Sequence, residues 1–306
     1  MFYVGVFPAL ILLTGMFFLP ETPRWLMSKG REKESRAILA RIEPAETVTV
    51  WTDQISHEIK EEDTRSAGWK ELLQPWLRTP LIIAVGIMFF QQFVGINTVI
   101  YYSPKIFLMA GFEGTISAIW AAVGVGVVNV IFTVLSVYFV DRLGRRKLYF
   151  IGLSGIICSL IALSSCFFFM NRVEEMGKWV TIGLVFLYVA CYAISIGPLG
   201  WLIISEVFPQ HVRGIGSSLG SLSVWFFNTI VSFTFFKIIK LLSVPGTGVG
   251  IAGETTGNPA GAFFFYAIIA LAGLIWGYFY IPETKGISLE KIEQHWRKGG
   301  DPRSLK

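Results

Sequence analysis

Residues 116–140 read ISAIWAAVGVGVVNVIFTVLSVYFV, and the next seven, 141–147, read DRLGRRK. An uncharged run of this length, wound as a helix, crosses the hydrocarbon core of a bilayer, which takes about 20 residues at about 1.5 Å each. No water reaches backbone groups there, so the run must close its own hydrogen bonds as a helix. The pattern recurs along the chain, in apolar runs over 2–19, 81–109, 116–140, 148–170, 179–204, 215–240 and 261–281. One or two such runs fit inside a soluble protein. Seven do not, and the sequence predicts an all-α membrane protein with seven transmembrane helices.

Composition agrees. The chain is 53% hydrophobic and 15% charged, with a mean hydropathy of +0.59, against about 25% charged residues in soluble domains. The net charge of +5 points to topology rather than to nucleic acid, because the basic residues sit on one side. If the segment 20–79 is cytoplasmic, the loops 20–79, 141–147, 205–214 and 282–306 hold 10, 4, 1 and 6 Lys or Arg, 21 of the 26. Lys105, Arg172, Lys178, Lys237 and Lys240 remain for the other side. That asymmetry is the positive-inside pattern. It predicts a multi-pass protein of the inner or plasma membrane with linker and C-terminus in the cytoplasm. Cys158, Cys166 and Cys191 all lie in apolar runs, without paired spacing, and read as small core residues.

Four segments follow from these signals: a helix over 1–19, a charge-mixed cytoplasmic linker with short amphipathic helices over 20–79, a six-helix bundle over 80–285, and a tail over 286–306. The two ends of the apolar region echo each other. Leu19-Pro20-Glu21-Thr22 closes the first run and Ile281-Pro282-Glu283-Thr284 the last. Proline stops a helix because it has no N–H to donate. Matching exits six helices apart suggest parallel six-helix repeats of the kind transporters use. On that reading residues 1–19 are the last helix of one repeat and 80–285 a complete second one.

Six motifs resemble the sugar porters of the major facilitator superfamily, nearest to bacterial sugar–proton symporters for xylose, galactose or arabinose. They are Pro20-Glu21-Thr22-Pro23-Arg24-Trp25-Leu26; Gln91-Gln92-Phe93-Val94-Gly95-Ile96-Asn97 with Tyr101-Tyr102; Asp141-Arg142-Leu143-Gly144-Arg145-Arg146; Gly197-Pro198-Leu199-Gly200-Trp201 with Ser205-Glu206; Arg213-Gly214; and Pro282-Glu283-Thr284-Lys285-Gly286. The resemblance implies a twelve-helix fold of which this chain supplies the portion from about the sixth helix, with a missing N-terminal half as its partner. It also places the proton-coupling Asp of such symporters on a first helix outside this sequence.

Physics supports a substrate site beside that likeness. Polar groups in the bilayer core are costly and face the bundle interior or a water-filled cavity. The large amides of the runs are Gln91, Gln92, Asn97, Asn129 and Asn228, and no acid or base sits near a run's centre. An amide offers a donor and an acceptor to adjacent hydroxyls, which suits a neutral polyol. Each amide has a second reading as glue between helices, about 0.6 kcal/mol on average; for Asn129 both stay open. Gln91, Gln92 and Asn97 point about 0°, 100° and 240° around a straight helix, so one ligand reaches all three only if the helix breaks. Gly95 and, further on, Pro104 are the expected breakers, and Gly197-Pro198-Leu199-Gly200 marks an interruption in a second helix.

By resemblance, Gln91, Gln92, Asn97, Asn129, Gly197, Trp201, Trp225 and Asn228 occupy sugar-contacting positions, and Tyr101 and Tyr102 an outer gate. Glu21, Arg24, Asp141, Arg145, Arg146, Glu206 and Arg213 resemble a cytoplasmic charge network holding two halves together; positive-inside anchoring is the other reading of the 141–146 cluster. Val224 departs from members with an amide before this tryptophan, which leaves pentose and hexose both open. The expected activity is transport of a neutral monosaccharide by alternating access, with proton symport in the complete protein. The alternative is a non-transporting membrane fragment or structural partner. Nothing points to an enzyme, a cofactor or a metal: His57, His211 and His295 fall in polar segments without catalytic or ligand spacing.

Overall fold

Proline and glycine decide where the helices stop. The computed structural model describes residues 2–64, 69–112, 114–169, 174–243, 249–251, 254–256 and 258–305, in two units, Met1–Ala67 and Gly68–Lys306. In the first, α1 (Phe2–Phe18) is apolar on every side, and the side chains from Val6 to Phe18 are all exposed. Such a helix needs lipid or protein around it. The polar stretch beyond Pro20 folds as α2 (Pro23–Ser28), α3 (Glu32–Ile42) and α4 (Ala45–Thr64). Thr22 caps α2 by accepting the Trp25 N–H at 3.3 Å, with Pro23 at a position that owes no hydrogen bond. The Ser35 hydroxyl donates to the Pro23 carbonyl at 2.9 Å and fastens α3 to α2.

The second unit is a helical bundle. Its helices are α5 (Arg78–Phe93), α6 (Ile96–Met109), α7 (Thr115–Leu143), α8 (Arg145–Phe169), α9 (Glu174–Ile194), α10 (Ile196–Val207), α11 (Gln210–Leu241), α12 (Ala260–Tyr280) and α13 (Leu289–Arg297). Two pairs, α5 with α6 and α9 with α10, each share one span. Among the described residues six helices are therefore long and apolar enough to cross a membrane, and the apolar part of α1, Val6–Phe18, is shorter. The span of α5 and α6 is the most buried and α7 the least. Between α11 and α12, β1 (Val249–Ile251) pairs antiparallel with β2 (Glu254–Thr256), a ribbon rich in β-branched residues.

Both shared spans are broken where the backbone leaves helical geometry. Gly95 takes φ +89°, a left-handed value costly to any residue with a Cβ. A Cβ there would also come within 2.8 Å of the Tyr266 ring. The Val94 carbonyl, freed by the break, accepts the Tyr188 hydroxyl at 2.9 Å. Pro104 makes no second break and lies inside α6. In the other span the break falls at Ser195, with φ −122° and ψ −103°, ahead of the expected Gly197-Pro198. Pro198 sits in the first turn of α10, where helices tolerate proline because the N–H there has no helical partner. Gly152 of α8 lets that break approach: a Cβ on it would lie 1.9 Å from the Ser195 hydroxyl oxygen.

Six spans return the chain to the end from which it started. There Trp296 of α13 donates its indole N–H to the Val207 carbonyl at 3.1 Å, and His211 meets Glu71 at 3.1 Å. Arg297 lies over the Trp76 ring, 4.2 Å from its centre. Ser288 stands at the N-cap of α13, though its hydroxyl makes no capping hydrogen bond. Beyond α13, the Asp301 carboxylate is held down to about 2 by its hydrogen bonds from the Arg303 side chain and backbone.

Candidate functional site

Residues on both sides of each break border one cavity of about 430 Å³. From α5 and α6 come Gln91, Gln92, Asn97 and Tyr101; from α7, Asn129 and Thr133; from α9 and α10, Tyr192, Ala193, Gly197, Pro198 and Trp201; from α11, Val224, Trp225 and Asn228. The eight residues expected to meet a sugar thus all border this space, and Tyr101 joins them. Among the described residues no Asp, Glu, His, Lys or Arg is in its lining.

The break at Gly95 lets the amides converge. Gln91 donates to the carbonyls of Ile196 and Gly197 at 3.1 and 2.7 Å. Gln92 donates to the Gln91 Oε1 at 3.1 Å, and Asn97 Nδ2 donates to the Gln92 Oε1. Across the cavity Asn228 is 3.5 Å from the Tyr101 hydroxyl, and its Oδ1 accepts from Ser232 at 3.0 Å. Trp201 and Trp225 are 46% and 66% exposed, so both indoles are open to a ligand. Uncharged donors and acceptors with free ring faces can hold a hydroxylated neutral molecule; nothing in the lining compensates a charged one.

Tyr102 does not share the cavity. Adjacent helical residues point about 100° apart, and its ring turns to α11, stacked on Phe235 at 5.4 Å and edge-on to Phe236 at 4.6 Å. Thr133, Tyr192, Ala193, Pro198 and Val224 are lining residues that the sequence did not single out as contacts. Thr133 lies one turn beyond Asn129, the spacing that keeps two residues on one helix face, and that signal was available.

At the basic end of the unit, Arg145 pairs with Glu206 at 2.8 Å and with Asp141 at 3.3 Å. Glu206 also accepts the Thr284 hydroxyl. Glu283 accepts the backbone N–H groups of Arg145 and Arg146 at 2.9 and 3.2 Å, so a carboxylate caps the start of α8, where a negative charge is favoured. Arg146 instead donates to the carbonyls of Ile281 and Tyr278 at 2.6 and 2.8 Å. Glu283 and Thr284 were missing from the expected network, although the Pro-Glu-Thr echo pointed at them. Arg213 is half-buried near the start of α11. Glu21 and Arg24 belong to the first unit, before and within α2.

A family model described as "Sugar (and other) transporter" matches residues 1–296. The chain is 35% identical over 295 residues to a glucose facilitated diffusion protein of Zymomonas mobilis, covering 96% of this chain and 58% of that protein. It is 30% identical over 298 residues to the major myo-inositol transporter IolT of Bacillus subtilis, covering 97% and 59%. Among solved structures, the proton:xylose symporter XylE bound to 6-bromo-6-deoxy-D-glucose superposes with a TM-score of 0.72 at 32% identity, over 95% of this chain and 57% of that one. The chain therefore spans less than two thirds of the length of these relatives.

Proposed function

The chain belongs to the sugar transporter family, and from that membership we propose that it carries the substrate-binding half of a transporter moving a neutral monosaccharide, pentose or hexose, by alternating access. The observation that carries the reading is the cavity beside the two helix breaks, where uncharged amides and open tryptophan faces meet and the described lining residues carry no charge. The bundle of Gly68–Lys306 acts as one six-helix repeat of a major facilitator fold, and α1 as the last helix of the other. A protein with six such spans is a multi-pass membrane protein; the linker and tail belong in the cytoplasm, where the basic loops lie. Proton symport is the mode proposed for the complete protein.

Gln92, Asn97, Asn129 and Asn228 offer hydrogen bonds to hydroxyls, Trp201 and Trp225 cover the apolar ring face, Gly197 gives backbone access and Gln91 borders the site. Tyr101 closes it from the outside; Tyr102 anchors the same helix to α11. Uptake of radiolabelled D-xylose, D-glucose and myo-inositol by cells deficient in each tests the reading, with this chain expressed beside a matching N-terminal partner of five helices. Uptake of none of them overturns it.

Gln92→Ala is expected to weaken sugar binding by about 1–3 kcal/mol, the cost of leaving a buried partner unsatisfied. Calorimetric titration checks it, and an unchanged affinity removes Gln92 from the site. Arg145→Gln is expected to loosen the basic end. The side chains of Arg145 and Glu206 are 11% and 18% exposed, and hydrogen bonds to charged groups contribute about 1.5–3 kcal/mol. With Asp141, Arg146, Glu206 and Arg213, Arg145 holds the outward-facing state. Its loss is expected to raise labelling of single cysteines at the cytoplasmic helix ends, while sugar binding persists. Unchanged labelling reduces the cluster to a topological anchor.

A further inference from the structure

Tyr266 of α12 brings a hydroxyl to the break between α5 and α6 and leaves it without a bond. Its ring lies against Gly95, where an added Cβ would meet three ring atoms at 2.8 to 3.0 Å, and it stacks on Phe235 at 6.5 Å. The residue is 1% exposed, and among the described residues its oxygen makes no hydrogen bond. A buried hydroxyl ordinarily finds a partner, and one left unpaired weakens the arrangement that holds it. Tyr188 shows the ordinary case at the same break: equally buried, it donates to the Val94 carbonyl at 2.9 Å. Two phenols at one break therefore differ in kind.

The acceptor that Tyr266 lacks is close at hand. Thr98 lies three residues beyond Gly95, on the same face of the chain as it enters α6, and is fully buried. Its hydroxyl is near enough to interact with that of Tyr266, yet the pair falls outside hydrogen-bond geometry. Thr98 donates its proton to the Gly95 carbonyl at 2.6 Å, and that carbonyl also accepts the Val99 N–H at 3.2 Å. Both lone pairs of the carbonyl are then taken, while the Thr98 oxygen keeps lone pairs for another donor. The same helix carries Asn97 and Tyr101 at the border of the cavity.

We propose that Tyr266 is a positioning residue for α6: a turn of α6 about Gly95 brings the Thr98 oxygen into line with the Tyr266 O–H, and the bond made there holds the turned arrangement. Gly95 is the place for such a turn, because the backbone leaves helical geometry at this residue. The Tyr266 ring, set between Phe235 and Gly95, is the fixed point against which α6 moves. The unpaired hydroxyl weakens the present arrangement and so favours the turned one. Since α6 carries Asn97 and Tyr101, the turn also opens and closes the cavity; that consequence rests on the sugar-site reading.

Two readouts on the 306-residue chain in lipid nanodiscs decide the matter. The first needs no sugar. The Val99 N–H crosses the break to Gly95, so hydrogen exchange over residues 96–103 reports the turn. Tyr266→Phe takes no bond from the present arrangement and one from the turned arrangement, so exchange is expected to slow about tenfold. Thr98→Val, which removes the acceptor and loses its own bond to Gly95 from both arrangements, is expected to slow it equally. The double variant is expected to slow it no further, and Thr98→Ser to keep the wild-type rate. Tyr188→Phe, which breaks an existing bond, is expected to accelerate it. Faster exchange in Tyr266→Phe means that the hydroxyl is already bonded, to Thr98 or to a bound water, and overturns the proposal; so does an unchanged rate. The second readout is stopped-flow tryptophan fluorescence with D-xylose and D-glucose. Tyr266 is not in the cavity lining, so Tyr266→Phe is expected to slow association and release alike, about tenfold, at unchanged affinity. Unaltered rates, or a loss of affinity, overturn its control of the cavity. If the wild-type chain binds neither sugar, the sugar-site reading fails while the exchange result still decides the role of Tyr266.

Discussion

Gly95→Ala is expected to abolish measurable sugar binding and to lower the thermal stability of the bundle. Two costs meet at this position. A left-handed backbone costs a residue with a Cβ about 1–2 kcal/mol, since φ is +89°. The new methyl would also press on the body of the Tyr266 ring, with three ring atoms at 2.8 to 3.0 Å. That ring is buried and stacks on Phe235 at 6.5 Å, so it has no free direction in which to yield, and overpacking of this kind costs about 1–3 kcal/mol. The strain falls between Gln92 and Asn97, which the break brings within hydrogen-bond reach. Gly286→Ala is the matched control: its φ is +75°, but open space surrounds it. Thermal unfolding and tryptophan-fluorescence titration of both variants give the comparison. If Gly95→Ala behaves like Gly286→Ala, the break does not organise the site.

The sequence was legible wherever a signal depends on one helix alone. Uninterrupted apolar runs fixed the spans of the bundle, since backbone in lipid has no alternative to helix. The positions of Gln91, Gln92 and Asn97 around a helix demanded a break, and Gly95 was the residue able to make it. The eight residues expected at a sugar site border one cavity, because a buried amide in each of several helices has few places to go other than a shared polar space.

Features that depend on a second helix were not legible. The Ser195 break arises where α8 comes close enough for Gly152 to meet Ser195, which no reading of the 179–204 run contains. Tyr101 and Tyr102 are equivalent on paper; the stacking of Phe235 and Phe236 on α11 separates them. Glu283 was read as a helix-exit signal, and its role as the cap of α8 depends on α12 ending beside Arg145. Ala193, Pro198 and Val224 carry no polar signal at all, yet they shape the apolar wall of the cavity. The run at 2–19 is the counterpart: its helix forms, but a stretch interrupted by nothing except Pro8 says nothing of what surrounds it.

Liposomes containing only residues 1–306 are expected to show no sugar-driven proton uptake. Coupling needs a group that changes its protonation as the protein changes state, and within membranes that group is usually a buried carboxylate. Among the described spans, with that of α9 and α10 counted over Met176–Val207, the only carboxylates are Asp141 and Glu206, each in the last turn of its helix at the basic end. Both are engaged by Arg145 as partners of a structural cluster, far along the helices from the amides of the cavity. Alternating access further requires two repeats rocking about one site, and the bundle of Gly68–Lys306 supplies one. A pH-sensitive dye outside the vesicles reports the result on adding D-xylose or D-glucose. The trace should stay flat with this chain alone and turn alkaline when a matching N-terminal partner of five helices is co-reconstituted. Robust alkalinisation by the chain alone would overturn both the single-repeat reading and the argument from missing central carboxylates, and would direct the search for the proton carrier to Glu206.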